Sequence, residues 1–194
     1  MFLTRRPSPA TIDGFLRESQ DLPLSYGPTG LVRTPIAGYS FDEASVEIGH
    51  GKADFERART ALMTWTHFDI GWVETFPRHA PVAAGTVVAV LIRHFGLWSL
   101  NGCRVLYTVS GLDDVSRFGF AYGTLTNHAE SGEELFEVVI DPQTDSVTYR
   151  IRAASRPQAT LARIGQPIVR VLQERFRNHS ADAMKREIGS AVQT

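Results

Sequence analysis

Between Phe68 and Ala153 the chain makes six passes rich in β-branched and aromatic residues, with no long helical pattern until all six are complete. The passes are Phe68–Phe76, Thr86–Arg93, Leu100–Val109, Arg117–Thr126, Glu134–Ile140 and Val147–Ala153. Turn-forming stretches separate them: Pro77 to Gly85, Phe95-Gly96, Gly111 to Asp114 and Asp141-Pro142. Successive side chains on a strand point to opposite faces, so a sheet built from such passes needs a second layer against its apolar face. The end of the chain supplies one. From about Gln158, the residues Leu161, Ile164, Ile168, Val171, Leu172 and Phe176 form a wide apolar stripe at helical spacing. Strands in succession followed by a helix argue an α+β layer architecture, not a βαβ parallel sheet. The expected fold is a curved antiparallel sheet of about six or seven strands gripping a long C-terminal helix.

The flanks fit this plan. Ser8-Pro9 starts a short helix carrying Ile12, Phe15 and Leu16. Residues 22–38 are rich in Pro and Gly and read as an irregular segment lying over the body. Ala44–Ile48 is a possible strand ended by Gly49-His50-Gly51, and Phe55, Ala58, Leu62 and Trp65 mark a helix from Lys52 to about Trp65. Gly165 and Pro167 predict a kink near the start of the last helix, and Asn178 to Asp182 a break before Met184 and Ile188. No composition shift divides the chain, so residues 1–194 are expected to form one domain, with 1–40 packed on it.

Side-chain parity singles out one acidic residue. Phe118, Phe120, Tyr122 and Thr124 share a face, as do Glu134, Phe136, Val138 and Ile140, and then Val147, Tyr149, Ile151 and Ala153. In a hairpin with its loop at Leu125 to Glu133 these sets meet. Glu137 falls on the outer face, across from Arg150. Glu134 falls on the inner, aromatic face, where a carboxylate must hydrogen-bond or stay wet. Tyr122, Thr124, His128 and Arg156 are its candidate partners, and burial would raise its pKa toward acid–base chemistry.

Other chemistries find little support. His128, Glu130 and Glu133 lack a nearby second histidine, and His50, His67, His79 and His94 are scattered, so no metal site and no cofactor is expected. Gly49-His50-Gly51-Lys52 lacks the spacing of a phosphate loop. Cys103 is single, which excludes an internal disulfide. A net charge of −1 gives no broad drive toward nucleic acid. No apolar run is long enough to span a bilayer, no signal peptide is apparent, and a cytoplasmic location is expected.

The stretch YGTLTNHAESGEELF, Tyr122 to Phe136, resembles the signature of domain-of-unknown-function family nineteen-ninety. LSYGPTG, GYSFDEASVEIGHGKADFERARTALMTW and ASRPQATLARIGQPIVRVLQERF extend the resemblance over nearly the whole chain. The resemblance carries no residue roles. The family's element order is similar to that of the START and polyketide-cyclase-like superfamily, which implies a helix-grip fold holding apolar ligands.

Three functions are therefore weighed. The first is binding of a small apolar molecule between sheet and C-terminal helix. Phe118, Phe120, Tyr122, Phe136, Val138, Tyr149, Ile164, Ile168 and Val171 would line the site, Thr124 and Arg156 would belong to it, and Tyr122, Glu134 and His128 would supply its few polar contacts. The second is a cyclase, hydratase or lyase with Tyr122 as acid or oxyanion donor, Glu134 as base and His128 shuttling protons. The third is a protein-interaction module using residues 22–38 or the last helix.

Overall fold

Alternation at period two becomes a sheet because each pass can hand its apolar parity to the next. A computed structural model of the chain describes residues 1–34, 36–110, 116–157 and 166–189, the side chains of 157 and 166–169 excepted. The elements are β1 (Phe2–Leu3), α1 (Pro9–Ser19), β2 (Ser40–His50), α2 (Gly51–Met63), a 3-10 turn (Thr66–Phe68), β3 (Val73–Phe76), β4 (Val87–His94), β5 (Leu97–Ser110), β6 (Arg117–Thr124), β7 (Glu130–Ile140), β8 (Ser146–Pro157) and α3 (Gln166–Gly189). The eight strands form a single antiparallel sheet in the order β2-β8-β7-β6-β5-β4-β3, with β1 paired to β5. Register shifts at Val105/Tyr107 on β5 and Glu47/Gly49 on β2 insert extra residues, which bend and twist the strands locally.

One face of the sheet carries the main core. Val105, Phe120, Phe136, Val138, Tyr149 and Ile151 meet Phe55, Ala58 and Leu62 of α2, Trp65 and Phe68 of the following turn, and Met184 and Ile188 of α3. The terminal helix thus docks on the ring-bearing face, as its stripe required. Of the expected stripe, Leu172 and Phe176 point inward, as do Met184 and Ile188 that continue it and Ala181 between them, whereas Val171 is 60% exposed. Nor does the helix break at Asn178 to Asp182; it runs unbroken to Gly189, because Met184 and Ile188 anchor its second half in the core. Phe68 belongs to the 3-10 turn and not to a strand.

The opposite face is covered too. Ser8 caps α1 by accepting the Thr11 amide at 3.2 Å, and α1 lays Ile12 and Phe15 on Ala89, Leu91 and Leu100. Leu31 and Val32 of the irregular segment cover Ala121, Leu135 and Ala154. Leu31 and Val32 of that segment are spent on the sheet, whereas Ile36 is exposed. Gly123 permits the close approach: any side chain there would collide with the Tyr26 hydroxyl. Glu137 lies opposite Arg150 in register but is buried, and it pairs with Arg117 and Arg152. The surface pair expected with Arg150 is therefore replaced by a two-arginine clamp, because the neighbouring strand and the i+2 position on β8 bring those guanidiniums over it. No helix among the described residues is long and apolar enough to cross a membrane.

Candidate functional site

Three strands in register place the polar group that parity singled out. Tyr122 of β6 lies opposite Glu134 of β7, which lies opposite Ala153 of β8. The Tyr122 hydroxyl donates to Glu134 Oε2 at 2.7 Å. No ion pair reaches Glu134 among the described residues. Burial pushes its pKa up to about 7, the Glu130 charge adds to the rise, and the Tyr122 bond and the more distant Arg177 oppose it. Burial and the Glu134 charge together hold the Tyr122 phenol well above its ordinary range, so it remains a donor at all physiological pH.

Glu130 stands four residues earlier on the same face of β7. Gln173 of α3 donates to Glu130 Oε1 at 3.2 Å and to Ser155 Oγ at 3.3 Å, tying helix to sheet at this end. Burial raises the Glu130 pKa as well. Both carboxyls keep some accessible surface although each lies deep in the protein, which is the condition of groups that line a recess. His128 is built into the rim. Its Nδ1 accepts the Glu130 amide at 2.9 Å, and burial lowers its pKa to about 4. It is therefore neutral at pH 7, with its proton on Nε2.

The remaining expected site residues are distributed differently. Arg156 does not reach Glu134: it shares parity with Arg150 and Arg152, so it emerges on the other face and stacks its guanidinium 4.7 Å from the centre of the Tyr39 ring. Thr124 bonds Ser25 Oγ at 2.6 Å and the Gly132 backbone, fastening the N-terminal segment. Phe118, Phe120, Phe136, Val138 and Tyr149 sit on the expected face but are buried against α2 and the 3-10 turn, with Tyr149 bonded to Ser180 Oγ of α3 at 2.8 Å. Ile164 lies outside the described residues, as does the side chain of Ile168. Tyr122, Glu134, Glu130, Ser155 and Gln173 gather at one end of the interface.

Sequence reasoning passed over His67. α2 ends in a left-handed residue, Trp65 (φ 61°), which turns the chain so that Trp65, His67 and Phe68 all enter the core. His67 lies within ring contact of Trp65, Phe68, Phe120, Phe136 and Tyr149, fully buried, and neither ring nitrogen has a partner among the described residues. No motif marks it, because only the turn at Trp65 aims it inward. Burial lowers its pKa to about 3. The unfolded imidazole takes its proton near pH 6.5 and the folded one only near 3, so this group destabilises the fold increasingly as pH falls between those values. His67→Leu is expected to raise stability by about 1 kcal/mol at pH 7 by removing an unpaired polar ring. It also flattens the acid limb of stability, which urea titrations at pH 7 and pH 4.5 would read.

The model of a family described as "Domain of unknown function (DUF1990)" matches residues 25–183. A UPF0548 protein from Dictyostelium discoideum is 30% identical over 211 residues, covering 98% of this chain and 97% of its own. Among solved structures, a START superfamily protein from Mycobacterium smegmatis matches with a TM-score of 0.54 at 11% identity, over 79% of this chain and 99% of its own. A point mutant of Thalictrum flavum norcoclaurine synthase, in complex with a transition state analogue, matches with 0.53 at 10% identity, over 80% and 97%. At such identities the likeness is one of fold, and the fold is START-like.

Proposed function

Because this chain belongs to the DUF1990 family, a domain of unknown function, we propose its function from the geometry of its own site: it binds a small, largely apolar molecule in the recess between the sheet and α3. The observation that carries this reading is the Tyr122–Glu134 pair. A carboxyl held near pKa 7 on an otherwise aromatic face, with one phenol as its partner, is an expensive arrangement for packing alone. It suits a ligand whose apolar body rests on the ring-lined wall and whose single hydroxyl, amine or carbonyl takes the polar end. The START-like fold supports the same reading, since a relative of that fold holds a transition state analogue.

Mass spectrometry of the gently purified protein is expected to show a co-purifying apolar species that denaturation releases. Tyr122→Phe and Glu134→Gln each remove one half of the polar anchor and are expected to weaken retention of that species about tenfold, the effect of about 1.4 kcal/mol. Retention unchanged in both variants would remove the anchor from the reading.

A second reading follows from the same pair. At neutral pH Glu134 is close to half ionised, and Tyr122 stays protonated, so one group can accept a proton from a bound carbon acid or hydroxyl while the other donates to the developing oxyanion. If chemistry occurs, Glu134→Gln abolishes turnover of the retained species while leaving its binding measurable. Equal loss of both assigns the pair to binding.

A further inference from the structure

The overall charge of −1 conceals a local asymmetry at one end of the sheet. The β4–β5 hairpin turns through Phe95 and Gly96, both left-handed with φ of 49° and 78°. Such two-residue turns favour Asn, Asp or Gly, because a side chain with Cβ crowds its own carbonyl there. Phenylalanine at that position is locally unfavourable, and its ring is 72% exposed, so the fold gains nothing from it. A residue that breaks a local rule without structural compensation points to a role outside the fold.

The ring does not stand alone. Phe2 of β1 is 58% exposed and meets His94 edge-on, and His94 in turn meets Phe95. Met1 and Leu97 are exposed beside them, since β1 pairs with β5 at Trp98 and Ser99. Half of the described exposed large hydrophobics thus gather at this one corner, which single scattered surface residues do not do. Residues 1–8 and 92–99 contain Arg5, Arg6 and Arg93 and no Asp or Glu. Arg6 is tied to Glu74 and packs over Trp98, while Arg5 and Arg93 are exposed without an ion pair among the described residues.

We propose that this corner docks on an anionic lipid bilayer. Phe95, Phe2 and Leu97 enter the interface and Arg5 and Arg93 meet lipid phosphates, a pairing of apolar insertion with cationic contact that membrane-surface segments use. A protein surface would equally cover the rings, but the acid beside the rim, Glu74, is already paired with Arg6 and Arg78, and the excess of cations left by Arg5 and Arg93 matches a surface of uniform negative charge. β5 runs past the end of β6, so the corner lies at the same end of the sheet as Glu130 and the recess.

The test is co-sedimentation of the full chain with vesicles of phosphatidylcholine, with and without about one third phosphatidylserine. The parent is expected to partition onto the anionic vesicles, to leave them at high salt, and to ignore the neutral ones. Phe95→Asn suits the turn and so preserves or improves folding, yet it is expected to lower partitioning at least about tenfold, and Arg93→Glu by a similar factor. A parent that stays in the supernatant, or a Phe95→Asn variant that binds as well as the parent, overturns the proposal. So does equal binding to neutral vesicles. A dimer in light scattering that Phe95→Asn converts to monomer assigns the corner to a second copy of this chain instead.

Discussion

Replacing Glu133 by alanine is expected to destabilise the protein by about 3 kcal/mol, read as a lower urea midpoint at unchanged slope. The reason lies on the face opposite the recess. Glu133 is 3% exposed, and its carboxylate accepts the Tyr26 hydroxyl at 3.1 Å, the Gly30 amide at 2.8 Å and the Tyr107 hydroxyl at 2.8 Å. Two of those donors belong to the irregular segment that has no strand or helix to hold it. Its apolar anchors, Leu31 and Val32, depend on that carboxylate for position. Removing it strands three donors and frees the segment, so limited proteolysis between Tyr26 and Arg33 is expected to accelerate in the same variant. Glu133→Gln keeps an acceptor and loses the charge, and falls between parent and alanine. A loss below about 1 kcal/mol for the alanine variant would show that Leu31, Val32 and the Ser25–Thr124 bond hold the segment without this carboxylate.

The neighbouring residue has the opposite sign. Glu134→Gln is expected to stabilise the protein at pH 8 by about 2 to 3 kcal/mol and to leave it unchanged near pH 4.5. Unfolded, this carboxyl ionises near pH 4.5; folded, it holds its proton until about 7. Between those values the folded state binds the proton that the unfolded state has released. Stability therefore falls as pH rises through that window, and the whole cost is present above it. Glutamine still accepts the Tyr122 hydroxyl but cannot ionise, which removes the slope. Denaturant titrations of parent and variant at the two pH values give the comparison directly. Parallel curves, with no gain at pH 8, would mean that the Glu134 carboxyl is solvated in the folded protein and that the recess lacks its polar anchor.

Parity placed Glu134 with the rings, whereas Glu133 was read as the end of the loop and is instead a buried strand residue. Glu134 follows the rings and Glu133 does not, and the registers Tyr122–Glu134–Ala153 and Phe120–Phe136–Ile151 follow from alternation. The succession of antiparallel strands and the docking of the last helix on the ring-bearing face were equally legible, since an apolar stripe and an apolar face must find each other, but the pairing of β2 with β8 and of β1 with β5 was not. Most of the helix residues that make the contact were legible as well: Leu172, Phe176, Met184 and Ile188 face inward, and only Val171 of the described stripe faces out, because a wide stripe does not show which of its edges is left in solvent.

Arg156 and His67 show the other limit. Arg156 was one of four candidate partners for Glu134, although its own parity sends it to the far face and the Tyr39 ring. His67 carries no pattern, and its burial depends on the single left-handed residue at Trp65. By itself the chain determined which side chains share a face, because period two is a property of the backbone and reaches only a few residues. Only the tertiary structure decided which carboxyl would be paired, buried or left titrating near neutrality. That depends on partners such as Tyr26 and Gly30, which lie 107 and 103 residues from Glu133, and on how completely α2 and its turn exclude water from the concave face.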